Sequence, residues 1–313
     1  MKPRYYSQML FIFVLLLIGA ISAGCAGAQA TPSAAPIVVT DGLGKQISLS
    51  GPAQRVISLA PSNTEILFAL GAGSQVVGRD TFSDYPEEAK SLPDVGGGFS
   101  ELNVEVILAQ KPDLVLASAL TASEQAQALE KAGLVVFVMN NPKDFEGLYE
   151  NLRLVARLIG REAEAEALVK QLEQRVAAVE AKLSGVTEQP LVFYELDGTE
   201  PNAPWTPGPG TFIDTLIRMA GGENLGAGLQ GEWVQVSLEE LIARQPDLIL
   251  LGDATWGGVT AEAVAARAGW DALQAVKEGK VFPFDDNLVS RPGPRLVDGL
   301  EAMARLLHPQ QFP

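Results

Sequence analysis

The sequence predicts an α/β protein made of two similar lobes, and two observations carry that prediction. First, residues 104–118, VEVILAQKPDLVLAS, return at residues 238–252 as LEELIARQPDLILLG. Second, each copy has apolar residues at helical spacing, then Pro-Asp, then an unbroken aliphatic run that is typical of a strand buried on both faces of a parallel sheet. Two separated copies indicate two lobes, because solenoid repeats recur at shorter, regular intervals. The positions that are identical in the two copies are Glu105/Glu239, Ala109/Ala243, Pro112/Pro246, Asp113/Asp247, Leu114/Leu248 and Leu116/Leu250.

The first lobe is predicted over residues 37–144. Two short alternating segments flank Asp41-Gly42, which indicates a hairpin that leads into the buried strand RVISLA. The helix within PSNTEILFALGAG has Ser62 or Asn63 available as its N-cap and Gly71 as its C-terminal stop. Strands and helices then alternate as far as VVFVM, residues 135–139.

Residues 145–185 are dense in Ala, Glu, Leu, Lys and Arg, contain no proline and carry apolar residues at helical spacing. This pattern predicts one long helix or two in succession, with Gly160 as the interruption, joining the two lobes. The second lobe, residues 186–313, begins with the strand LVFYEL, continues through a helix in GTFIDTLIRMAGG and ends in a helix from about Arg295 to Leu307.

The N-terminus predicts export and attachment to a membrane. Residues 1–24 have basic residues at the start, an apolar stretch and then small residues, which together indicate a signal peptide. They directly precede Cys25, as in the cleavage box of bacterial lipoproteins, so we expect Cys25 to be the lipid-anchored first residue of the mature chain. Because Cys25 is the only cysteine, it forms no internal disulfide. Residues 25–36 are small residues and proline, which predicts a flexible tether on the outer face of the membrane.

Composition narrows the function classes. The net charge of −15 argues against a nucleic-acid partner. The single histidine, His308, is expected to be a solvated residue of the C-terminal tail, so neither a zinc site nor a Ser-His-Asp nucleophile is predicted. The glycine runs at 96–98 and 208–210 lack the P-loop lysine and the dinucleotide fingerprint. The sequence therefore predicts a binding protein without a metal site or cofactor, and not an enzyme.

Extending the repeat upstream aligns Phe99 with Trp233, so each lobe has an aromatic residue four positions before a helix N-cap, Asn103 or Ser237. Loops at the carboxyl ends of parallel strands form the ligand crevice of α/β sheets. Phe99 and Trp233 would then lie on opposite walls of a cleft between the lobes; the alternative is that each packs in the core of its own lobe.

Glu105 and Glu239 are each the second helical residue after those caps. A favourable interaction with the helix dipole, worth about 0.3–1 kcal/mol, explains either one. A carboxylate on each lobe could also dock a two-fold symmetric partner through arginines. The residues alone leave both readings open.

The segments RVISLAPSNTEILFALG, FSDYP, KPDLVLAS and GEWVQVSLEELIARQPDLILL resemble the substrate-binding proteins of ATP-binding cassette importers for cobalamin, ferric siderophores and heme. The resemblance extends from Ile37 to Leu307. It implies two Rossmann-like lobes joined by a single long α-helix over residues 145–185, with the ligand cleft between the lobes. It also implies a monomer that meets arginines of a permease dimer, with its ATPase subunits, through Glu105 and Glu239.

The cobalamin-binding members are the most similar, so the expected cargo is cobalamin or a related corrinoid. Aromatic faces suit a corrin ring bordered by amides. Ferric siderophore is the alternative, since Arg291 and Arg295 could hold an anionic chelate; heme is less favoured because its iron usually takes a protein ligand. The ligand-binding residues that the resemblance implies are Phe82, Tyr85, Phe99, Trp205, Trp233, Asn287 and Arg291.

Overall fold

Two parallel four-stranded sheets form the centres of the two lobes in a computed structural model, which describes residues 36–98, 100–121 and 123–312. The strands are β1 Ile37–Thr40, β2 Gln46–Leu49, β3 Val56–Ser58, β4 Val76–Arg79, β5 Leu114–Ala117, β6 Val136–Val138, β7 Leu191–Glu195, β8 Trp205–Pro207, β9 Glu223–Asn224, β10 Trp233–Gln235, β11 Leu248–Leu251 and β12 Val281–Pro283. The first-lobe sheet has the order β4-β3-β5-β6 and the second β12-β11-β7-β9. The predicted two-lobed α/β fold is therefore confirmed.

Helices cover these sheets. They are α1 Pro61–Ala69, α2 Val104–Ala109, α3 Ser123–Lys131, α4 Phe145–Ile159, α5 Glu162–Leu183, α6 Phe212–Met219, α7 Leu238–Arg244, α8 Ala254–Gly257, α9 Ala261–Ala265, α10 Gln274–Lys277 and α11 Leu296–Leu307. None of the helices within the described residues combines the length and the apolarity needed to cross a membrane.

The Pro-Asp of each repeat copy fixes the start of a strand. Asp113 Oδ2 accepts hydrogen bonds from the backbone nitrogens of Gln54 and Arg55, at 2.8 and 3.0 Å, directly before β3. Asp247 Oδ2 accepts one from the backbone nitrogen of Leu191, at 2.7 Å, where β7 begins. Since β5 pairs with β3 and β11 with β7, each aspartate joins its own strand to the neighbouring one.

The hairpin β1–β2 is antiparallel, as predicted, but α1 begins earlier than expected. Ala60 is its N-cap and Pro61 its first residue, so the prediction that Ser62 or Asn63 caps this helix is wrong. Asn63 is buried inside the helix, where its Nδ2 donates to the carbonyl oxygens of Leu116 and Ala117 at 3.1 and 3.2 Å. The amide thus fastens α1 to β5.

Residues 145–185 form two helices in succession, α4 and α5, which is one of the two alternatives that the sequence predicts, with Gly160 as the interruption. The single helix that joins the lobes is α5, so it is shorter than the resemblance implies. Gly160 ends α4 with a left-handed φ of 71°, and a Cβ there would lie 3.0 Å from the Cβ of Pro52. α5 packs on α4 at one side and on α11 of the second lobe at the other. Arg175 of α5 reaches Asp298 and Glu301 of α11 at 2.5 and 2.9 Å, so α5 is the helix that bridges the lobes.

One hydrophobic core extends through both lobes. A single cluster joins Leu116 of the first sheet, Val155 of α4, Leu172 of α5 and Leu250 of the second sheet. The residues from Pro36 onward accordingly form one compact unit. We expect only small relative motion of the lobes, because a close-packed core that extends through both lobes deforms little.

His308 is buried rather than solvated, so the expectation of a tail residue is wrong. It follows α11, its side chain lies 6% exposed, and its Nε2 is 3.2 Å from the carbonyl oxygen of Gly221. The imidazole therefore belongs to the packing between α11 and the end of α6.

Candidate functional site

Glu65, Asp84, Arg291 and Arg295 form an ion-paired group between the lobes, called the interlobe charge cluster below. Arg295 Nε and Nη2 donate to Glu65 Oε2 and Oε1 at 2.8 and 2.5 Å. Arg291 Nη1 is 2.5 Å from Asp84 Oδ1 and 3.4 Å from Glu65 Oε1. Two carboxylates of the first lobe therefore neutralise two arginines of the second.

Burial makes these pairs strong. The side chain of Glu65 is 2% exposed and those of Arg291 and Arg295 are 14% and 15% exposed, whereas Asp84 is 55% exposed. Burial raises the pKa of Asp84, but the hydrogen bond and charge of Arg291 outweigh it, so this pKa is lowered and the carboxylate stays ionised at neutral pH. Of the cluster, Arg291 is a predicted ligand residue and Arg295 was named with it for the alternative cargo; no local pattern pairs Glu65 with either arginine.

Phe82 and Tyr85 lie in the loop after β4, at the carboxyl edge of the first sheet, and are 45% and 47% exposed. The guanidinium of Arg295 lies 4.1 Å from the centroid of the Tyr85 ring, which is close enough for a cation–π contact. One arginine of the second lobe thus holds both a carboxylate and an aromatic ring of the first.

Trp205 and Trp233 lie on one small antiparallel sheet, β8–β10, in which Trp233 pairs with Pro207 and Gln235 with Trp205. Cross-strand partners and alternate residues share a face, so both indoles project from the same face. They are 40% and 50% exposed, while Thr206, which points to the other face, is fully buried. This sheet therefore presents an aromatic surface to solvent.

Asn287 lies in a short 3-10 turn, Asp286–Leu288, after β12, in the same loop as Arg291. Its Nδ2 donates to Asp285 Oδ1 at 2.9 Å, which fixes the direction of its amide. Neighbouring Asp286 accepts a hydrogen bond from the hydroxyl of buried Tyr194 at 3.2 Å, and burial raises the pKa of Asp286.

Phe99, the remaining predicted ligand residue, and Cys25 with the signal peptide lie outside the described residues. Phe82 and Tyr85 follow β4 of the first sheet, and Asn287 and Arg291 follow β12 of the second. The interlobe charge cluster contains Arg291 and contacts Tyr85 through Arg295, whereas Trp205 and Trp233 lie on the separate sheet β8–β10.

The structure confirms the two predicted N-caps. Asn103 Oδ1 accepts from the backbone nitrogen of Val106, and Ser237 Oγ from that of Glu240, both at 3.1 Å. Glu105 and Glu239 follow as second residues of α2 and α7, and both side chains are exposed. Each lobe therefore presents one solvent-accessible carboxylate at a helix start.

Sequence reasoning missed two exposed apolar residues at the carboxyl edges of the sheets. Leu120 follows β5 and is 94% exposed, and Trp256 follows β11 and is 58% exposed. Each lies within four residues of the end of a repeat copy, but the two positions do not align with each other, so the repeat gave no signal for them.

The arrangement is suited to binding a molecule rather than to acid–base or metal chemistry. Among the residues that the structure describes, no group of three or more His, Cys, Asp or Glu side chains could hold a metal ion. Two surface depressions, of about 460 and 350 Å³, are lined by residues 48–53 with Asp113 and Val135 and by residues near the end of α5. Neither includes a predicted ligand residue.

Comparison with known proteins bears on this geometry. The model of a protein family described as periplasmic binding protein matches residues 56–288 of this chain. A Bacillus subtilis (strain 168) protein described as an uncharacterized ABC transporter substrate-binding lipoprotein, YvrC, is 33% identical over 311 residues, covering 95% of this chain and 96% of that one. A cobalamin-binding protein of Halobacterium salinarum is 31% identical over 284 residues, covering 87% of this chain and 74% of the other. The solved structure of the periplasmic heme-binding protein RhuT from Roseiflexus sp. RS-1, in apo form, has a TM-score of 0.74 and 29% identity, covering 83% of this chain and 99% of that chain.

Proposed function

The chain belongs to the periplasmic binding protein family, and from that premise we propose that it captures cobalamin or a related corrinoid outside the cytoplasm and delivers it to an ATP-binding cassette importer. Members of this family bind substrate for transport and are not enzymes. What they hold is cargo rather than a cofactor.

The interlobe charge cluster is the observation that carries the choice of cargo. Arg291 and Arg295 are already paired with Glu65 and Asp84, so neither presents an uncompensated positive charge. To bind Arg295, an anionic ferric chelate would have to draw it away from buried Glu65, and removing one partner of such a pair costs about 3–5 kcal/mol. A corrin ring bordered by neutral amides needs no such exchange.

The aromatic side chains supply the attraction that charge does not. Trp205 and Trp233 form one exposed face on the second lobe, and Phe82 and Tyr85 are half exposed on the first. Flat apolar rings gain favourable contact with a large macrocycle, and a few polar groups fix its orientation. Asn287, held by Asp285, offers such a polar group to an amide of the ligand.

Ferric siderophore is the second candidate, supported by the exposure of Asp84. Its carboxylate is 55% exposed, so it could release Arg291 to an anionic chelate at a smaller cost than Glu65 could release Arg295. Heme is less favoured, although a similar solved structure is that of a heme-binding protein. Iron in heme usually takes a protein ligand, and of the predicted ligand residues only Tyr85 carries a group of that kind.

Docking to the permease is assigned to Glu105 and Glu239. Both carboxylates are exposed, and they occupy equivalent helix starts in the two lobes. Arginines on two related permease subunits could each form a charge-assisted hydrogen bond with one of them. The binding protein acts as a monomer in this scheme, one copy per permease dimer with its ATPase subunits.

Cys25 is assigned as the lipid anchor, which would hold the protein at the outer face of the membrane. The small residues before Cys25 and the lipoprotein description of the Bacillus subtilis relative support this assignment. Replacing Cys25 by Ser should move the protein from the membrane fraction to the soluble fraction of the cell envelope; retention in the membrane would contradict the anchor.

Calorimetric titration of residues 26–313 tests the cargo. The panel is cyanocobalamin, heme and an anionic ferric siderophore, a tris-catecholate, at equal concentrations and with absorbance as a second readout. A one-to-one complex with cyanocobalamin alone is the expected result. Binding of the ferric catecholate alone would overturn the corrinoid assignment in favour of the second candidate.

A further inference from the structure

Two buried carboxyl groups, Glu195 and Asp253, lie beside each other at the carboxyl edge of the second sheet. Glu195 ends β7 and pairs in register with Leu251 of β11, and Asp253 follows two residues later. Both residues are almost completely buried, at 0% and 1% exposure. Neither belongs to the interlobe charge cluster or to the predicted ligand residues.

Their hydrogen bonds leave one oxygen to be accounted for. Arg267 donates to both oxygens of Glu195, at 2.6 and 2.9 Å. Asp253 Oδ2 accepts from the backbone nitrogen of Gly198 at 2.9 Å. Asp253 Oδ1 is buried and has no N–H or hydroxyl donor among the described residues. Gly198 borders both carboxyl groups, since its backbone nitrogen donates to Asp253 and a Cβ on it would lie 2.5 Å from Glu195 Oε1, so a protonated Glu195 is the donor at hand for Asp253.

Electrostatics favours a proton between the two groups. One guanidinium faces two carboxyls, so full ionisation would leave a net negative charge in a buried site, which is costly. Burial raises the pKa of Glu195 to about 7, against the opposing effect of Arg267 and with a further contribution from Asp253. Burial also raises the pKa of Asp253, and Asp253 in turn adds to the raised pKa of Tyr194.

Within the part of the chain that the structure describes, the other groups that face the pair carry no positive charge. Tyr194 precedes Glu195 on β7 and donates its hydroxyl to Asp286, which follows β12. Arg267 also lies 4.6 Å from the ring centroid of Trp270. The charged and titratable groups facing the pair are therefore Arg267, Tyr194 and, through Tyr194, Asp286.

A short turn connects the carboxyl pair to Trp205. Gly198, which donates to Asp253, follows Asp197, and the Asp197 carbonyl accepts from the backbone nitrogen of Trp205 at 2.9 Å. The backbone nitrogen of Leu196 donates in turn to the Trp205 carbonyl, also at 2.9 Å. A Cβ on Gly198 would collide with the Glu195 carboxyl, so the turn rests directly on the pair.

We propose that Glu195 and Asp253 share one proton, and that this hydrogen bond positions the turn at Asp197 and Gly198, which holds the backbone of Trp205, so that binding in the cleft weakens as the pair loses its proton. The part that concerns affinity rests on the proposed corrinoid function, whereas the shared proton does not. Glu195 and Asp253 are positioning residues here, since they act through Trp205.

The sign of the pH dependence follows from linkage. The folded chain keeps a proton that the unfolded chain releases at the ordinary carboxyl pKa, 4.5 for Glu. The stabilisation is therefore fully present below pH 4.5 and is lost as the pH rises towards the folded value of about 7. Above that pH Glu195 is ionised in both the folded and the unfolded chain, so its titration no longer changes the free energy of unfolding.

Urea unfolding without ligand tests the shared proton. The wild type and Asp253→Asn are compared from pH 5 to 8, with Asp271→Asn, at an exposed aspartate, as the matched control. An amide at 253 can donate to Glu195 at every pH, so the midpoint should fall with rising pH in the wild type and the control but change much less in Asp253→Asn. Parallel profiles in all three proteins would overturn the shared proton.

Titration with cyanocobalamin over the same pH range tests the link to the cleft. The dissociation constant of the wild type should rise about threefold or more between pH 6 and 8, and that of Asp253→Asn should stay nearly constant. Asp253→Ala, which cannot donate, should bind weakly throughout. Equal pH profiles of affinity would overturn the positioning role. If the stability of the wild type and of Asp253→Asn depends on pH in the same way, the shared proton is refuted. If the two stability profiles differ as expected but cyanocobalamin does not bind at all, the proposed cargo is refuted and the shared proton is not.

Discussion

Arg295 of the second lobe donates two hydrogen bonds to Glu65 of the first, from Nε at 2.8 Å and from Nη2 at 2.5 Å. The same guanidinium covers the ring of Tyr85. This bidentate pair joins the lobes beside the candidate cleft and removes the charge of Arg295 from it. Stability and choice of cargo are therefore linked through one side chain.

A double-mutant cycle at Glu65 and Arg295 should reveal strong coupling. Arg295→Met leaves Glu65 buried with only the longer contact to Arg291, so the free energy of unfolding should fall by about 3 kcal/mol. The double variant Glu65→Met/Arg295→Met should lose clearly less than the sum of the single variants, because two apolar side chains leave no buried charge unpaired. Urea denaturation followed by circular dichroism measures all three.

The matched control is the exposed interlobe pair of Lys143 and Glu232, whose side chains are 68% and 54% exposed. Glu232→Gln should change the free energy of unfolding by about 0–1 kcal/mol, since exposed ion pairs contribute little. Additive losses at Glu65 and Arg295 would contradict the importance of the bidentate pair.

Trp233→Ala should weaken corrinoid binding without unfolding the protein. The indole is half exposed, so its removal takes little from the core, but aromatic anchors at binding sites are worth about 1–3 kcal/mol. Calorimetric titration and thermal unfolding on the same preparation separate the two effects. Unchanged affinity would remove Trp233 from the ligand-binding wall.

Gly208→Ala should displace the loop that leads into β10 and so disturb the sheet β8–β10, which carries Trp205 and Trp233. A Cβ at Gly208 would overlap the carbonyl oxygen of Gly231, two residues before Trp233, so the loop between β9 and β10 must move. Overpacking of this kind costs about 1–3 kcal/mol, and both stability and corrinoid affinity should fall. At Gly51 a Cβ meets no atom within 4 Å, so Gly51→Ala is the control and should leave affinity unchanged. Equal behaviour of the two variants would mean that the loop accommodates a methyl group without moving Trp233.

Glu105→Ala and Glu239→Ala should separate docking from binding. Both side chains are exposed and contribute to their helix starts by no more than about 1 kcal/mol, so ligand affinity should be unchanged. Stimulation of the importer's ATPase activity in proteoliposomes should be strongly reduced in each variant and lost in the double variant. Glu124→Ala, in the first turn of α3, is the control for a loss of charge at an exposed helix start. A loss of ligand affinity would argue against the docking role.

Local sequence patterns predicted the local structure well. The aliphatic runs after Pro-Asp are the buried strands β5 and β11, and Asn103 and Ser237 cap the helices that precede them. These features depend on residues within a few positions of one another, where periodicity and capping chemistry are decisive.

The errors have tertiary causes. The choice between one helix and two over residues 145–185 was left open, because a glycine costs a helix only about 1 kcal/mol. The close approach of Gly160 to Pro52, which spacing cannot reveal, favours the end of α4 at this point. Likewise, burial of Asn63 and His308 depends on carbonyl oxygens from β5 and from Gly221.

The candidate site was predictable only in part. The resemblance to a family selected the aromatic residues and Arg291, but Glu65 and Arg295 are separated by 230 positions and their pairing depends on how the lobes meet. The buried carboxyls Glu195 and Asp253 likewise become neighbours only through the pairing of β7 with β11. Which charged groups are neighbours therefore depends on the tertiary structure and not on local sequence.

The salt dependence of cyanocobalamin binding tests most directly whether aromatic contact, and not charge, holds the cargo. The measurement is a calorimetric titration of residues 26–313 at low and at high sodium chloride concentration. We predict a one-to-one complex whose dissociation constant changes by less than about threefold, because stacked rings and neutral amides are little affected by screening. Absence of a complex with cyanocobalamin, together with a salt-sensitive complex with a ferric siderophore, would contradict the account.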